Sequence, residues 1–200
     1  MTACVLFMRN PLRGSGSRGV APSQAPLAFH RSLPDFAATP LKAVPALSHA
    51  WGCGSVWLKL ETERLGLPSY KILGAAWAAH RLLCDRVGLP ADETPFAQLR
   101  DMVRGQDLGF VTASAGNWGR AMARVARLLS LRAVVVVPAD TAPSRIQAIE
   151  SEGATVEQVR GNFDEAVRAG GERVTEQDLL LADTASRWMR CASGIVTTNS

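Results

Sequence analysis

Predicted strands and helices alternate from residue 107 to residue 182, and this alternation constrains the fold more than any other feature of the sequence. Short apolar, β-branched runs predict strands at 109–113, 132–137, 155–159 and 179–182. Apolar residues at helical spacing predict intervening helices at 118–129, 143–152 and 163–175. Such β-α-β units cross over with a right-handed turn, so this segment predicts a parallel sheet covered by helices on both faces.

The residues before the alternation predict a second, less regular part. Prolines between residues 33 and 47 indicate an extended segment, and residues 55–60 indicate a short strand. Helical spacing of apolar residues predicts a helix from Tyr70 to about Val87, ended by Gly88. We therefore predict an α/β fold: a three-layer domain with a parallel sheet, plus the incomplete N-terminal part of a second α/β domain.

Charge and composition exclude several classes of partner. Four arginines in the first 34 residues, with no acidic residue among them, account for the whole net charge of +4. The remainder is balanced, so we expect no nucleic-acid surface. No apolar run reaches the roughly 18 residues that a membrane span needs, so we expect no membrane partner. The four scattered cysteines form no C-x-x-C pair, so we expect no metal site and a cytoplasmic protein.

Lys71 is the first candidate for chemistry, within Gly-Leu-Pro-Ser-Tyr-Lys-Ile-Leu-Gly-Ala-Ala at 66–76. A lysine becomes a nucleophile only after losing its proton, and partial burial at the junction of a turn and an apolar helix favours that loss. Three lysines occur beside 19 arginines, so a retained lysine invites a specific explanation. The alternative is a structural lysine whose alkyl stem packs along the helix.

The second candidate is the run Thr-Ala-Ser-Ala-Gly-Asn-Trp-Gly-Arg at 112–120, between a predicted strand and a predicted helix. Free N–H groups at a helix start, next to small residues that allow close approach, form a cradle for a carboxylate or phosphate. The alternative is that Asn117 is only the N-cap of the helix, and that Gly116 and Gly119 only permit packing. Dinucleotide and P-loop fingerprints are absent from this run, which makes a nicotinamide or nucleotide enzyme a poorer fit.

These two runs, in this order, resemble the fold-type II pyridoxal-phosphate enzymes, the superfamily of the tryptophan synthase β subunit. The resemblance implies that Lys71, in Ser-Tyr-Lys-Ile-Leu-Gly-Ala at 69–75, bonds covalently to pyridoxal 5'-phosphate. It implies that Asn117 contacts the phenolic oxygen of that cofactor. The residues that would hold the substrate carboxylate are Ser114, Ala115, Gly116, Asn117 and Gly119.

Further runs are similar to those of diaminopropionate ammonia-lyases, over about residues 28–185. They are Pro-Leu at 40–41, Val-Trp-Leu-Lys at 56–59, Arg-Leu-Gly-Leu at 64–67, Gly-Arg-Ala at 119–121, Val-Pro-Ala at 137–139, Gly-Asn-Phe-Asp-Glu-Ala-Val at 161–167 and Asp-Thr at 183–184. This resemblance implies β-elimination of ammonia from a diamino acid such as 2,3-diaminopropionate, giving pyruvate and ammonia, with Lys71 as covalent anchor and acid/base. Asp183 matches the family's Asp-Thr as an active-site acid, and a turn or cap aspartate is the alternative.

Two departures from the family pattern affect the expected activity. Ala115 stands where these lyases commonly have an aspartate that takes the α-proton of a D-substrate, so D-isomer activity is doubtful. An L-specific lyase, a serine/threonine dehydratase and a β-replacement enzyme stay open. The phosphate-binding loop of the family lies downstream of the residues in this chain, from which we expect a truncated protein with impaired activity. A non-catalytic remnant acting as an interaction module is the alternative from another class.

The resemblance divides the chain into four segments. Residues 1–27 are expected to form a flexible basic arm, and residues 28–104 the N-terminal segment of the larger cofactor domain, with the Lys71 helix. Residues 105–185 are expected to form the smaller α/β domain, followed by an irregular tail at 186–200. The expected partner is a small amino-acid substrate, and a homodimer is the assembly left open.

Overall fold

The computed structural model describes residues 23–181, which contain seven helices and six strands. In chain order these are α1 (Ala25–Arg31), β1 (Leu41–Ala43), α2 (Pro45–Trp51), β2 (Trp57–Lys59), α3 (Lys71–Val87), α4 (Phe96–Val103), β3 (Gly109–Ala113), α5 (Asn117–Leu129), β4 (Arg132–Pro138), α6 (Pro143–Glu150), β5 (Thr155–Val159), α7 (Phe163–Glu172) and β6 (Asp178–Leu180). Within these residues, none of the helices combines the length and apolar character needed to cross a bilayer.

Four parallel strands form the central sheet, in the order β5-β4-β3-β6. Strand β3 pairs with β4 from Gly109 opposite Arg132 to Ala113 opposite Val136, and β6 pairs with the other edge of β3. The chain thus moves outward from β3 to β5 and then returns to the far side of β3. A reversal of strand order of this kind opens a crevice at the carboxyl ends of the strands, where ligands bind in such sheets.

The valines of β4 show that helices cover both faces of the sheet. Val135 and Val137 are buried in the core that contains α5, whereas Val136 packs with Ala113 and with Ala166 of α7. Successive side chains of a strand point to opposite faces, so α5 and α7 lie on opposite sides of the sheet. The predicted three-layer domain with a parallel sheet is therefore confirmed.

One hydrophobic core joins the N-terminal helices to the sheet. Buried residues of α1, α3, α4 and α5 form one cluster with side chains of β3 and β4, and Phe29, Ile72, Phe96 and Val125 line the same small interior space. The core is therefore continuous across residue 104, where we divide the chain into domains. The expected arm boundary at residue 27 falls inside α1. The division into domains itself stays a prediction.

The N-terminal part contains more helix than its prolines predict. The expected extended segment at 33–47 is wrong at its end, because Pro45 begins α2. Proline is tolerated at the first helical position, where its missing N–H would have no intrahelical acceptor. Strands β1 and β2 form a separate antiparallel ribbon in which all six residues are exposed.

Candidate active site

Lys71 is the first residue of α3 and is half-buried. Its backbone N–H donates to Ser69 Oγ at 3.2 Å, which satisfies one of the amide groups that a helix start leaves without an intrahelical acceptor. Ile72, Ala75 and Ala76 follow it into the core and are almost fully buried. The start of α3, and with it the backbone of Lys71, is therefore held by packing on one side and by the hydrogen bond to Ser69 on the other.

A mostly buried ion pair holds the turn that leads to Lys71. Arg64 donates through Nε and Nη2 to the two carboxylate oxygens of Glu61, both at 2.7 Å. It also donates to the carbonyl of Ala37 at 3.1 Å and to Thr39 Oγ1 at 2.7 Å. The hydrogen bonds from Arg64 outweigh burial and lower the pKa of Glu61 to about 2. Residues 61–64 are therefore fixed against 37–39.

The predicted anion cradle lies between the end of β3 and the start of α5. Ser114 is buried, and its Oγ accepts the backbone N–H of Gly116 at 3.4 Å. Gly116 is the N-cap, and Asn117, the first helical residue, is exposed. No side-chain cap hydrogen bond forms at this helix start. The alternative role of Asn117 as N-cap is therefore wrong.

The two glycines of this loop differ in the space around them. A Cβ on Gly119 would lie 2.6 Å from the carbonyl oxygen of Ser114 and 2.9 Å from Val135 Cγ1, whereas a Cβ on Gly116 would meet nothing within 4 Å. Real Cβ atoms do not approach other atoms as closely as a Cβ at position 119 would have to. Gly119 therefore permits close packing of α5 on the sheet, and Gly116 leaves the mouth of the cradle open.

Trp118 brings the two sequence motifs together. Its Cζ3 atom lies 3.9 Å from the position that a Cβ on Gly74 would occupy. Gly74 follows Lys71 by three residues, so the two positions are neighbours on one side of α3. The start of α3 and the start of α5 therefore meet beside the carboxyl end of β3, which is where the strand order reverses.

A pocket of about 250 Å³ opens beside the cradle. Its lining residues are Ala115, Gly116, Asn117, Arg120, Arg145, Ala148 and Ile149. Residues 117–120, the first turn of α5, include no acid, so the positive end of the helix dipole is not offset within the turn. Arg145 adds a guanidinium group to this lining, whereas the guanidinium group of Arg120 is paired with Glu152 at 3.2 Å, so the helix start and Arg145 are the features that favour an anionic group. The sequence gives no signal for Arg145, because only the sheet topology places α6 next to α5.

The remaining candidate groups lie apart from this region or outside the described residues. His80 is buried, stacks on Phe29 with ring centroids 4.0 Å apart, and has its Nε2 2.8 Å from the carbonyl of Ala91. Burial lowers its pKa, and this histidine belongs to the core. Asp183 lies outside residues 23–181. Within that range, no group of three His, Cys, Asp or Glu side chains is arranged to hold a metal ion.

A half-buried lysine and a helix start without an acidic residue lie near each other where a parallel sheet reverses its strand order, which is the place where α/β enzymes bind their ligands. A family model described as "Pyridoxal-phosphate dependent enzyme" matches residues 33–194. The chain belongs to this family, and its fold is the α/β fold of the fold-type II enzymes. The cofactor is pyridoxal 5'-phosphate.

Individual members of the family show which enzymes this chain is similar to. The chain is 37% identical over 163 residues to diaminopropionate ammonia-lyase of Salmonella typhimurium, covering 80% of this chain and 40% of the relative. The apo crystal structure of Escherichia coli diaminopropionate ammonia-lyase superposes with a TM-score of 0.71 at 32% identity, covering 74% of this chain and 40% of that one. L-serine dehydratase/L-threonine deaminase of Bos taurus is 48% identical over 59 residues, covering 30% of this chain and 18% of the relative. The chain thus spans about two fifths of the length of the ammonia-lyases.

Proposed function

We propose that this protein is an amino-acid ammonia-lyase that eliminates ammonia from a diamino acid such as 2,3-diaminopropionate, giving pyruvate and ammonia. The closeness of Gly74 of α3 to Trp118 of α5 carries the proposal, because it brings the start of α3, where Lys71 lies, near the helix start that follows the cradle. The similarity to the ammonia-lyases of Salmonella typhimurium and Escherichia coli supports the choice of reaction. If Lys71 lay far from the start of α5, the structure would not support this proposal.

The described residues fit pyridoxal phosphate at two points: a primary amine at the start of α3, and backbone amide groups beside small residues at the start of α5, where no side-chain cap hydrogen bond forms. When bound, the cofactor supplies an electron sink for the charge that develops at Cα of the substrate. In our proposal Lys71 is the covalent anchor, and its Nζ then moves the proton at the substrate Cα. Asn117 contacts the phenolic oxygen of the cofactor.

The cradle residues hold the substrate in this proposal. The N–H groups of the first turn of α5 and the loop from Ser114 to Gly119 bind the substrate carboxylate, because a helix N-terminus stabilises a negative charge. Binding there sets the distance between the substrate Cα and Lys71. Asp183, which lies outside the described residues, remains the proposed active-site acid.

Ala115 sets the expected stereochemistry. It lines the pocket beside the cradle, and its methyl group cannot take a proton. Lys71 is then the base in the proposed mechanism, and we propose an L-amino acid as the substrate. A β-replacement enzyme would use the same residues, and it differs in requiring a second substrate.

A dehydratase acting on L-serine or L-threonine is the second candidate. The run that is 48% identical to the Bos taurus dehydratase favours it, although that run covers 30% of the chain. The two reactions differ in the group that leaves Cβ, which is an amine in one and a hydroxyl in the other. Pyruvate release from L-2,3-diaminopropionate, compared with release from L-serine, separates them.

The test of the proposal is a covalent cofactor at Lys71. The purified chain, mixed with pyridoxal phosphate, should develop the visible absorbance of the lysine-bound cofactor, and borohydride should fix that cofactor to the peptide containing Lys71. Lys71→Ala should abolish both signals. Lys42→Ala, which removes an exposed lysine of β1, is the matched control and should change neither.

If the wild-type chain shows no absorbance change, or if borohydride fixes the cofactor at Lys42 instead, the proposal that this protein is an enzyme is contradicted. That result would support a non-catalytic interaction module. The exposed side chains of Trp51 and Trp57 are the observation that favours such a module. Size-exclusion chromatography would then show self-association that does not depend on the cofactor.

A further inference from the structure

Arg124 of α5 connects the two halves of the candidate site. Its Nη1 donates to the backbone carbonyl of Leu65 at 3.0 Å, and Leu65 belongs to the turn that leads to Lys71. The side chain is mostly buried, with 18% of its surface exposed. The helix that begins at the anion cradle is therefore bonded directly to the segment before the lysine.

The other donors of the same guanidinium group are held by Glu152. Arg124 Nε donates to Glu152 Oε2 at 2.5 Å, and Nη2 donates to Oε1 at 3.0 Å. Such a two-point contact fixes the plane of the guanidinium group. Since that plane is fixed, the direction in which Nη1 points toward Leu65 is fixed as well.

Glu152 is held in turn by three arginines of α5. Its side chain is 3% exposed, and Arg120 and Arg127 approach it at 3.2 Å and 3.1 Å, in addition to Arg124. Burial by itself raises the pKa of Glu152, but the hydrogen bonds and charges of these arginines outweigh it and lower the pKa. The carboxylate is therefore charged at neutral pH and remains a fixed acceptor for Arg124.

Gly66 is shaped to admit the guanidinium group. Its φ is +74°, a conformation that L side chains rarely adopt. A Cβ there would also lie 2.9 Å from Arg124 Nη1. Glycine at position 66 therefore suits both the backbone conformation of the turn and the close approach of Arg124.

Lys71 lies between two points of contact with α5. Before it, Leu65 accepts a hydrogen bond from Arg124, and after it, Gly74 packs on Trp118. The packing contact fixes the start of α3, and the hydrogen bond fixes the turn that delivers the chain to it. Loss of the hydrogen bond removes the direct tie between this turn and α5, while the packing on Trp118 and the Arg64–Glu61 pair remain.

We propose that Arg124 is a positioning residue that holds the Lys71 turn against the anion cradle, with Glu152 as its fixed support. The inference rests on the proposed function, because the geometry matters only if one ligand contacts both Lys71 and the cradle. Arg124 is not among the residues that line the pocket beside the cradle. Its effect is transmitted through the backbone of residues 65–71.

Two variants of α5 separate positioning from the stability of the ion-pair cluster. Arg124→Met removes both the support on Glu152 and the bond to Leu65. Arg127→Met removes an arginine that contacts the same carboxylate but has no bond to the turn. A third variant, Gly66→Ala, keeps the three arginines and Glu152 in the sequence and disturbs the contact with Arg124 Nη1 from the side of the turn.

The first measurement is amide hydrogen exchange in the full chain. We expect Arg124→Met and Gly66→Ala to speed exchange in residues 64–73 about tenfold or more, since a hydrogen bond from a charged donor contributes a factor of this order. Exchange in this segment should be unchanged in Arg127→Met. Equal acceleration in Arg124→Met and Arg127→Met, or none in Arg124→Met, overturns the inference.

The second measurement is the apparent Kd for pyridoxal phosphate, from titration of the absorbance of the lysine-bound cofactor. We expect an increase of about tenfold in Arg124→Met and Gly66→Ala, and no change in Arg127→Met. Binding by the wild-type chain with unchanged affinity in Arg124→Met overturns this inference alone. Absence of binding by the wild-type chain overturns the proposed function, and this inference with it.

Discussion

The indole N–H of Trp118 donates to the hydroxyl group of Thr112 at 3.0 Å, across the turn that carries the anion cradle. Both residues are buried, so neither polar group can exchange its partner for water. The bond ties the end of β3 to the first turn of α5, and the same indole packs on Gly74 of α3. The position of the cradle relative to Lys71 thus depends strongly on one side chain.

Replacing Trp118 with phenylalanine should destabilise the fold by about 1–3 kcal/mol, because it leaves the buried hydroxyl of Thr112 without its donor. Urea unfolding measures this change in the free energy of unfolding. Thr112→Val removes the other partner, and the double variant should be less unstable than the sum of the two single variants. A coupling energy near zero in this cycle would show that the hydrogen bond contributes nothing to stability.

Gly119→Ala should cost about 1–3 kcal/mol of stability, because the new methyl group would press on the carbonyl of Ser114 and on Val135. Gly116→Ala, three positions before it along the turn from β3 into α5, is the matched control. It should cost about 0.5 kcal/mol, since the added methyl group meets nothing and only the N-cap preference is lost. Thermal and urea unfolding measure the stability of the two variants. If both variants lose the same free energy of unfolding, Gly119 is not packed against Ser114 and Val135 as we describe.

The Glu61–Arg64 pair predicts a dependence of stability on pH. The pKa of Glu61 is about 2 in the folded protein against an ordinary value of 4.5. Because the folded pKa is the lower one, the contribution to stability is complete above pH 4.5 and is lost as the pH falls toward 2. Glu61→Gln should therefore lower stability at neutral pH, by about 1.5–3 kcal/mol, and should flatten the pH dependence in that window.

The control for the pH experiment is Glu63→Gln, which makes the same change of charge at an exposed position two residues away. Urea unfolding at pH values between 2 and 7 gives the free energy of unfolding of each variant. If the free energy of unfolding of the wild type changes with pH no more steeply than that of Glu61→Gln between pH 2 and 4.5, then Arg64 does not hold the carboxylate in its charged form.

The regular half of the fold was predictable because its pattern is local. The spans of β3 and β5 agree with the sequence prediction at both ends, and α5 begins one residue earlier than predicted. In these segments, alternation and helical spacing are set by burial on the two faces of one sheet. Helices α1 and α4 were not predicted, because they are short and tertiary packing stabilises them, for example the stacking of Phe29 on His80.

The site was predictable where it consists of sequence motifs and unpredictable where it depends on distant contacts. The run around Lys71 and the loop from Ser114 to Gly119 could be found by their residues alone. Arg124 and Leu65 are 59 positions apart, and nothing local to either residue indicates their hydrogen bond. The spacing of Arg120, Arg124 and Arg127 along one face of α5 was the available signal, since it predicts a shared acidic partner.

The core shared by α3, α4 and α5 has a consequence for any shortened version of the protein. A piece beginning at residue 105 would keep all four strands of the sheet, yet it would uncover Val125 and Leu129, which now lie with Ile72 and Ala76 around the same interior space. Such a piece would expose an apolar face of α5 to water and would be prone to aggregation. The lysine helix thus also covers the apolar face of the sheet domain.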